Sequence, residues 1–239
     1  MQDMKSKIAV ITGANRGLGF AMSEKLASLG AKVIMACRSK KSGEEAVSKL
    51  KDKKLDVVLE VVDVEKPGDI EKLGKELAKK YPVIDVLINN AGINSEGGGV
   101  TIETLDLPLF EKIMNINLRG TVLMCKYLIP MLKKSSSGRI INFSSGLGQL
   151  TVPRMGPYPS YSISKTAVNG LTKKLADELK GTKIMVFSLD PGWVKTDMGG
   201  PEAPLPISEG IDTPIWLATE DAAKLHSGEF YKERKILGW

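Results

Sequence analysis

Tyr161 and Lys165 stand four residues apart in Tyr161-Ser162-Ile163-Ser164-Lys165, a spacing that puts two side chains on one face of an α-helix. A phenol and an ammonium held that way can pass a proton to a carbonyl oxygen. The cation favours the phenolate and draws the tyrosine pKa down from about 10 toward working pH. A lysine-rich chain makes such pairs by accident, and Tyr231 with Lys235 is a second one. The first pair gains weight from its company. Thr12-Gly13-Ala14-Asn15-Arg16-Gly17-Leu18-Gly19 follows an apolar run, Ile8 to Thr12, and leads into a stretch of helical period. Glycines there let the backbone turn tightly and approach a pyrophosphate, which the N–H groups and dipole of a helix N-terminus attract. The spacing departs from GxGxxG, so the turn alone is a moderate signal.

The second apolar run sharpens the cofactor reading. An acidic residue about 20 positions beyond the glycines would bind the ribose hydroxyls of NAD. This chain instead has Cys37-Arg38-Ser39-Lys40-Lys41. Arg38, with Arg16 inside the turn, suits a 2′-phosphate, which accepts bidentate guanidinium contacts. The expected cofactor is therefore NADPH/NADP+ rather than NADH.

The elements that must position these groups are legible as alternation. Buried-strand runs occur at Ile8 to Thr12, Lys32 to Cys37, Val57 to Val62, Val83 to Ile88, Arg139 to Phe143 and Ile184 to Leu189, with Phe230 and Tyr231 adding a last strand. Long helices are expected from Gly17 to Leu29, Ile70 to Lys80, Leu109 to Lys133 and Ser160 to Lys180. Strands apolar on both faces, separated by helices, imply parallel βαβ units in an α/β fold. Three loops follow strand C-terminal ends, Asn89 to Gly99, Ser144 to Pro159 and Asp190 to Ile207, and ligands bind at that edge of an open sheet. The last, from Trp193 to Ile207, combines Gly199-Gly200 with three prolines, as expected of a substrate lid.

The 239 residues fit one domain, 1–239, with a continuous core. Cys37 and Cys125 match no metal spacing and read as reduced core thiols. The polar start, Met1 to Ser6, lacks the apolar region of a signal peptide, and no run approaches a membrane span, so a cytoplasmic protein is expected. Net charge is +6, yet the lysine pairs are dispersed, which argues against nucleic acid and for an anionic cofactor. Asn142-Phe143-Ser144 is a sequon inside an apolar strand and reads as coincidence. His226, the only histidine, reads as a surface residue.

Taken together the chain resembles the short-chain dehydrogenase/reductase family over nearly its whole length. The residues behind the resemblance are Thr12 to Gly19, Asp63-Val64, Asn89-Asn90-Ala91-Gly92, Asn117-Leu118-Arg119-Gly120, Ser144-Ser145, Tyr161 to Lys165, and Pro191-Gly192-Trp193-Val194-Lys195-Thr196. It implies a Rossmann-type, doubly wound parallel sheet of about seven strands with helices on both faces. It also implies that Asp63 and Val64 border the adenine and that Asn90, with Ala91 and Gly92, supports the central strand beside the cofactor. Pro191, Gly192, Val194 and Thr196 fall near the nicotinamide and pyrophosphate. Tyr161 is then the proton donor, Lys165 also binds the nicotinamide ribose, Asn117 joins a proton relay, and Ser145 polarises the substrate oxygen, with Ser144 the competing assignment.

The tail Gly228-Glu229-Phe230-Tyr231 through Gly238-Trp239, with Pro191 to Met198, looks most like the carbonyl reductase branch. Members of that branch that act as monomers carry a long insertion before the tyrosine, where this chain has only Gly146 to Ser160. That leaves the two long helices free to pair between subunits, and a homodimer or homotetramer is expected. The leading reading is an NADPH-dependent reductase of ketones, aldehydes or quinones. The alternatives are an alcohol or hydroxysteroid dehydrogenase working oxidatively and a non-catalytic NADPH-binding regulator, which would have no need of Ser145, Tyr161 and Lys165.

Overall fold

A computed structural model describes residues 3–151 and 157–239. The apolar runs become β1 (Ile8–Thr12), β2 (Lys32–Cys37), β3 (Val57–Val61), β4 (Val86–Asn89), β5 (Gly138–Phe143) and β6 (Ile184–Leu189), joined by β7 (Glu229–Lys232) and β8 (Lys235–Leu237). They form one sheet in the order β3-β2-β1-β4-β5-β6-β7-β8, parallel except for β8. The chain steps outward one way from β1 to β3 and the other way from β4, so the order reverses between β1 and β4. A crevice opens there outside the strand C-termini, where α/β sheets bind ligands.

Successive strand residues point to opposite faces and build two cores. Ile11, Ile88 and Ile141 pack under α1 (Gly17–Ser28), α2 (Lys40–Lys51) and α8 (Asp212–Thr219). Val10, Leu87 and Ile140 pack under α3 (Pro67–Lys80), α5 (Gly120–Leu132) and α6 (Pro159–Glu178). Cys37 and Cys125 are buried free thiols and His226 is exposed. Among the described residues no helix is long and apolar enough to cross a membrane.

Four expectations from sequence need adjusting. The sheet has eight strands because Glu233 and Arg234, both at positive φ (49° and 59°), close a two-residue hairpin between β7 and β8. Lys-Glu-Arg-Lys carries none of the Asn-Gly chemistry that usually marks such a turn. Strand β4 begins at Val86 rather than Val83, because the Asp85 carboxylate accepts hydrogen bonds from Ile8 N (2.9 Å), Lys7 Nζ (3.0 Å) and Ser135 Oγ (2.6 Å) ahead of the ladder. Helix α2 lacked a sequence signal because only Ala46, Val47 and Leu50 give it an apolar stripe beside Gly43, and Ser39 caps it through Ser42 N. The long helix expected from Leu109 to Lys133 is α4 (Leu107–Met114) and α5 joined through a π-helical turn, Asn115–Arg119. The remaining helix, α7 (Ile207–Gly210), follows the loop after β6.

Candidate active site

The crevice is lined by Gly13, Asn15, Arg16, Gly17, Leu18 and Gly19 from the turn after β1, and by Arg38 after β2 and Asp63 and Val64 after β3. Asn90, Ala91 and Gly92 after β4, Ser144 after β5, Tyr161 and Lys165 on α6, and Pro191 and Thr196 after β6 also line it, whereas Asn117, Ser145, Gly192 and Val194, expected there from sequence, do not. The turn is shaped by what its glycines lack. Gly13 (φ +65°) and Gly17 (φ +54°) hold left-handed backbone, and a Cβ on Gly19 would fall on the Gly13 carbonyl oxygen. Helix α1 starts without a side-chain cap or an acidic residue in its first turn, so its amides border the crevice unneutralised. Asn90 stitches the switch point together, its Nδ2 donating to Thr12 O (2.8 Å) and its N–H to Thr12 Oγ1 (3.0 Å).

The two arginines expected near phosphate differ. Arg16 forms an exposed ion pair with Asp197 across the crevice mouth. Arg38 is exposed and has no carboxylate partner among the described residues. An uncapped helix N-terminus, a turn closed to side chains and a free guanidinium fit the phosphates of a dinucleotide.

Beside this crevice the catalytic candidates form a buried network. Lys165 is 4% exposed and its Nζ donates to Phe143 O at 2.8 Å, which places the amine 5.5 Å from the centroid of the Tyr161 ring. Burial pushes this amine down to about 8. Tyr161 departs from the sequence expectation. Burial pushes its phenol up to about 12, a hydrogen bond with Ser145 pulls it back, and the charge of Asp190 adds to the rise. Burial thus outweighs the Ser145 hydrogen bond, and Lys165, with one of its three donors on Phe143 O, stands 5.5 Å from the ring centroid without bonding the phenol. Asn117 is buried in the π-helical turn; its Oδ1 accepts from Ile93 N (2.8 Å) and its Nδ2 donates to Ile93 O and Ser164 Oγ (3.0 Å each). The two serines make different bonds. Ser144, which lines the crevice, donates its Oγ to Lys165 O (3.1 Å), whereas Ser145, outside that lining, meets the Tyr161 phenol.

Gly192 and Val194 stand behind the crevice wall. Val194 is buried and bridges to Leu205, and Gly192 N donates to Asp190 Oδ1 (3.0 Å). The structure adds residues that sequence reasoning passed over. Ala36, Ile93, Ile116 and Met198 line the crevice. Asp190, buried and paired with Lys232 (3.2 Å), sits close enough to perturb Tyr161. Glu96 accepts the amide hydrogens of Ser160 and Tyr161. An acid preceding Pro191-Gly192 was the one available signal for Asp190; Glu96, in a glycine loop, carried none. Residues 152–156 of the loop before Tyr161 lie outside the described residues.

The family model described as short chain dehydrogenase matches residues 7–204. The chain belongs to the short-chain dehydrogenase family. This short-chain dehydrogenase is 31% identical to carbonyl reductase (NADPH) 1 of Mus musculus over 277 aligned positions, covering 97% of this chain and 98% of the relative. It is 30% identical to (+)-neomenthol dehydrogenase of Arabidopsis thaliana, covering 99% of each chain. Both alignments exceed the 239 residues of this chain, so those relatives carry segments that it lacks. The solved structure of an NADPH-bound carbonyl reductase from chicken fatty liver superposes with a TM-score of 0.87 at 29% identity, with 100% of each chain covered. The protein is a short-chain oxidoreductase with the fold of that family, and its resemblance extends to the carbonyl reductase branch.

Proposed function

We propose that this short-chain dehydrogenase is an NADPH-dependent carbonyl reductase that converts a ketone, aldehyde or quinone to the alcohol, with Tyr161 as proton donor. The observation that carries the reading is one crevice that brings Arg38, without a carboxylate partner among the described residues, and the glycine turn together with Tyr161 and Lys165, the Tyr161 phenol meeting Ser145. The names of the NADPH carbonyl reductases it resembles support the same class.

Bound NADPH supplies the hydride. Gly17 to Gly19 and Arg16 would hold its pyrophosphate and Arg38 its 2′-phosphate, with Asp63 and Val64 beside the adenine and Ala91, Gly92, Pro191, Gly192, Val194 and Thr196 around the nicotinamide half. Ser145 and Tyr161 hydroxyls then converge on the substrate oxygen and polarise it. A phenol held protonated near pKa 12 keeps its proton until an alkoxide develops, and an alkoxide is a stronger base than phenolate, so transfer runs downhill. The Lys165 amine, at about 8, is mostly cationic at neutral pH and stabilises the phenolate left behind. Asn117 fixes the backbone at Ile93 and, through Ser164, the helical turn between Tyr161 and Lys165, so its part in the relay would be to position these groups.

An oxidative role uses the same residues, and the relative named neomenthol dehydrogenase favours it. Cofactor preference separates the two. The test is NADPH consumption across a panel of ketones, aldehydes and quinones, run beside alcohol oxidation with NADP+ and NAD+. Turnover confined to alcohols with NAD+ overturns the reductase reading.

Residues 193–207 act as the substrate lid in this reading. The base is pinned by the Val194–Leu205 bridge and by Lys195 N donating to Leu205 O (2.8 Å), while Trp193 (57%) and Met198 (52%) remain exposed. Exposed Val122 on α5 and Ile163 on α6 support pairing of those helices in a homodimer or homotetramer.

A further inference from the structure

Glu96 belongs to none of the roles above, yet it grips the catalytic helix. Its Oε1 accepts from Ser160 N (3.1 Å) and its Oε2 from Tyr161 N (2.8 Å). These are the second and third residues of α6, whose first residue is Pro159 and whose N-cap, Tyr158, supplies no side-chain bond. Pro159 has no N–H, so Glu96 satisfies the first two amides the helix presents. The carboxylate also meets the positive end of the helix dipole.

The residue sits on a segment with little else to hold it. A Cβ at Gly97, Gly98 or Gly99 would find no atom within 4 Å. On the other side of Glu96 the segment is clamped at Ile93, whose N–H and C=O are both taken by the Asn117 side chain. The stretch from Ile93 to Glu96 is thus tied at two points. One tie is a residue of the catalytic network, and the other reaches the backbone of the tyrosine itself.

We propose that Glu96 is a positioning residue that locks residues 92–99 against the first turn of α6, holding one wall of the substrate site in register with the Tyr161 phenol. Its kinetic consequence rests on the reductase reading, but the lock itself can be examined without turnover.

The experiment compares wild type with Glu96→Ala and Glu96→Gln by hydrogen exchange without cofactor, by NADPH titration and by steady-state kinetics on an active carbonyl compound. In Glu96→Ala, exchange should rise together in residues 92–99 and in the first turn of α6. The NADPH Kd should stay within about twofold and kcat/KM should fall on the order of tenfold, mostly through KM. Glu96→Gln retains a carbonyl acceptor without the charge and should recover part of the loss. Unchanged exchange in residues 92–99 overturns the lock. So does a lower Tm with KM untouched, which is the mark of an ordinary helix cap. Should Glu96→Ala fail to fold, Glu96→Gln against wild type gives the same reading, with a smaller rise in exchange and KM as the supporting result and none as the overturning one. A wild-type protein inactive on every carbonyl would sink the proposed function while leaving the exchange result to decide the lock.

Discussion

The nucleotide half of the crevice and its substrate half are built by opposite means. The first is specified by missing atoms: Gly13 and Gly17 at positive φ, and Gly19 where a Cβ would meet the Gly13 carbonyl. In the proposed binding mode backbone amides and the start of α1 would hold the phosphates, so few side chains would be needed. The second is specified by placed atoms, with contacts from Glu96 to Tyr161, from Tyr161 to Ser145, Lys165 and Ser164, and from Ser164 to Asn117. The difference teaches that the nucleotide half tolerates change wherever space is kept, whereas the substrate half fails when one polar group is lost.

Tyr161→Phe tests that contrast most severely. It should cut turnover by roughly 10²- to 10⁴-fold, the usual contribution of a positioned acid, and leave NADPH binding within a few-fold. Rapid-quench or steady-state rates near wild type would remove Tyr161 from the chemistry. In the nucleotide half the exception to backbone readout is Arg38. Arg38→Asp should move the ratio of efficiencies from NADPH toward NADH by about 1.5–3 kcal/mol, the worth of a charge-assisted hydrogen bond. An unmoved ratio would mean that the guanidinium does not face the 2′-phosphate.

Lys165→Met separates stability from activity in the substrate half. The folded amine titrates near 8 and an ordinary lysine at 10.5. Between those values the unfolded chain keeps a proton that the folded chain releases, so wild-type stability rises with pH across the window. The variant loses this burial penalty, and the cofactor-free protein should gain roughly 1–2 kcal/mol at or below pH 8. This nets about 1.4 kcal/mol per pKa unit against the donor that Phe143 O loses. The gain should fade toward pH 10.5 while turnover is lost throughout; denaturant melts showing a pH-independent difference would contradict the buried-cation account. The smallest effect concerns the lid. Exchange in residues 196–204 should slow by roughly severalfold with NADPH and a carbonyl analogue, and the pinned residues Val194 and Leu205 should change less. Equal protection in both states would make the segment a fixed wall.

Much of the nucleotide half could be read in advance because backbone requirements leave marks in residue type: a position that excludes a Cβ must be glycine, and β1, β2 and β6 were bounded to the residue by their apolar runs. Tyr161, Lys165 and Ser145 were legible as motif members. Their electrostatics were not, because whether Lys165 bonds the phenol depends on a rotamer that spacing does not encode. Glu96 and Asp190 stayed hidden for a related reason. Each acts across a long stretch of chain, Glu96 on Tyr161 and Asp190 on Lys232, and a single acid in a loop has no periodicity to betray it. The β7–β8 hairpin escaped because Glu233 and Arg234 adopt conformations their types do not favour, with Arg234 held by bonds to Thr213 and Asp212, 21 and 22 residues away in sequence.

The π-helical turn at Asn115–Arg119 gives the substrate half a reading frame. Such a turn holds one residue more than the helix around it requires, and each residue advances a helix by about 100°. Deleting one of these five would restore a regular helix with both flanks near their present faces, whereas the same deletion inside α4 or α5 would swing one flank by about that angle. Length changes in the loops around the crevice can be absorbed one residue at a time. Here the extra residue bulges the helix at Asn117 itself, so its loss would leave α4 and α5 packed while displacing the side chain that holds Ile93 and Ser164.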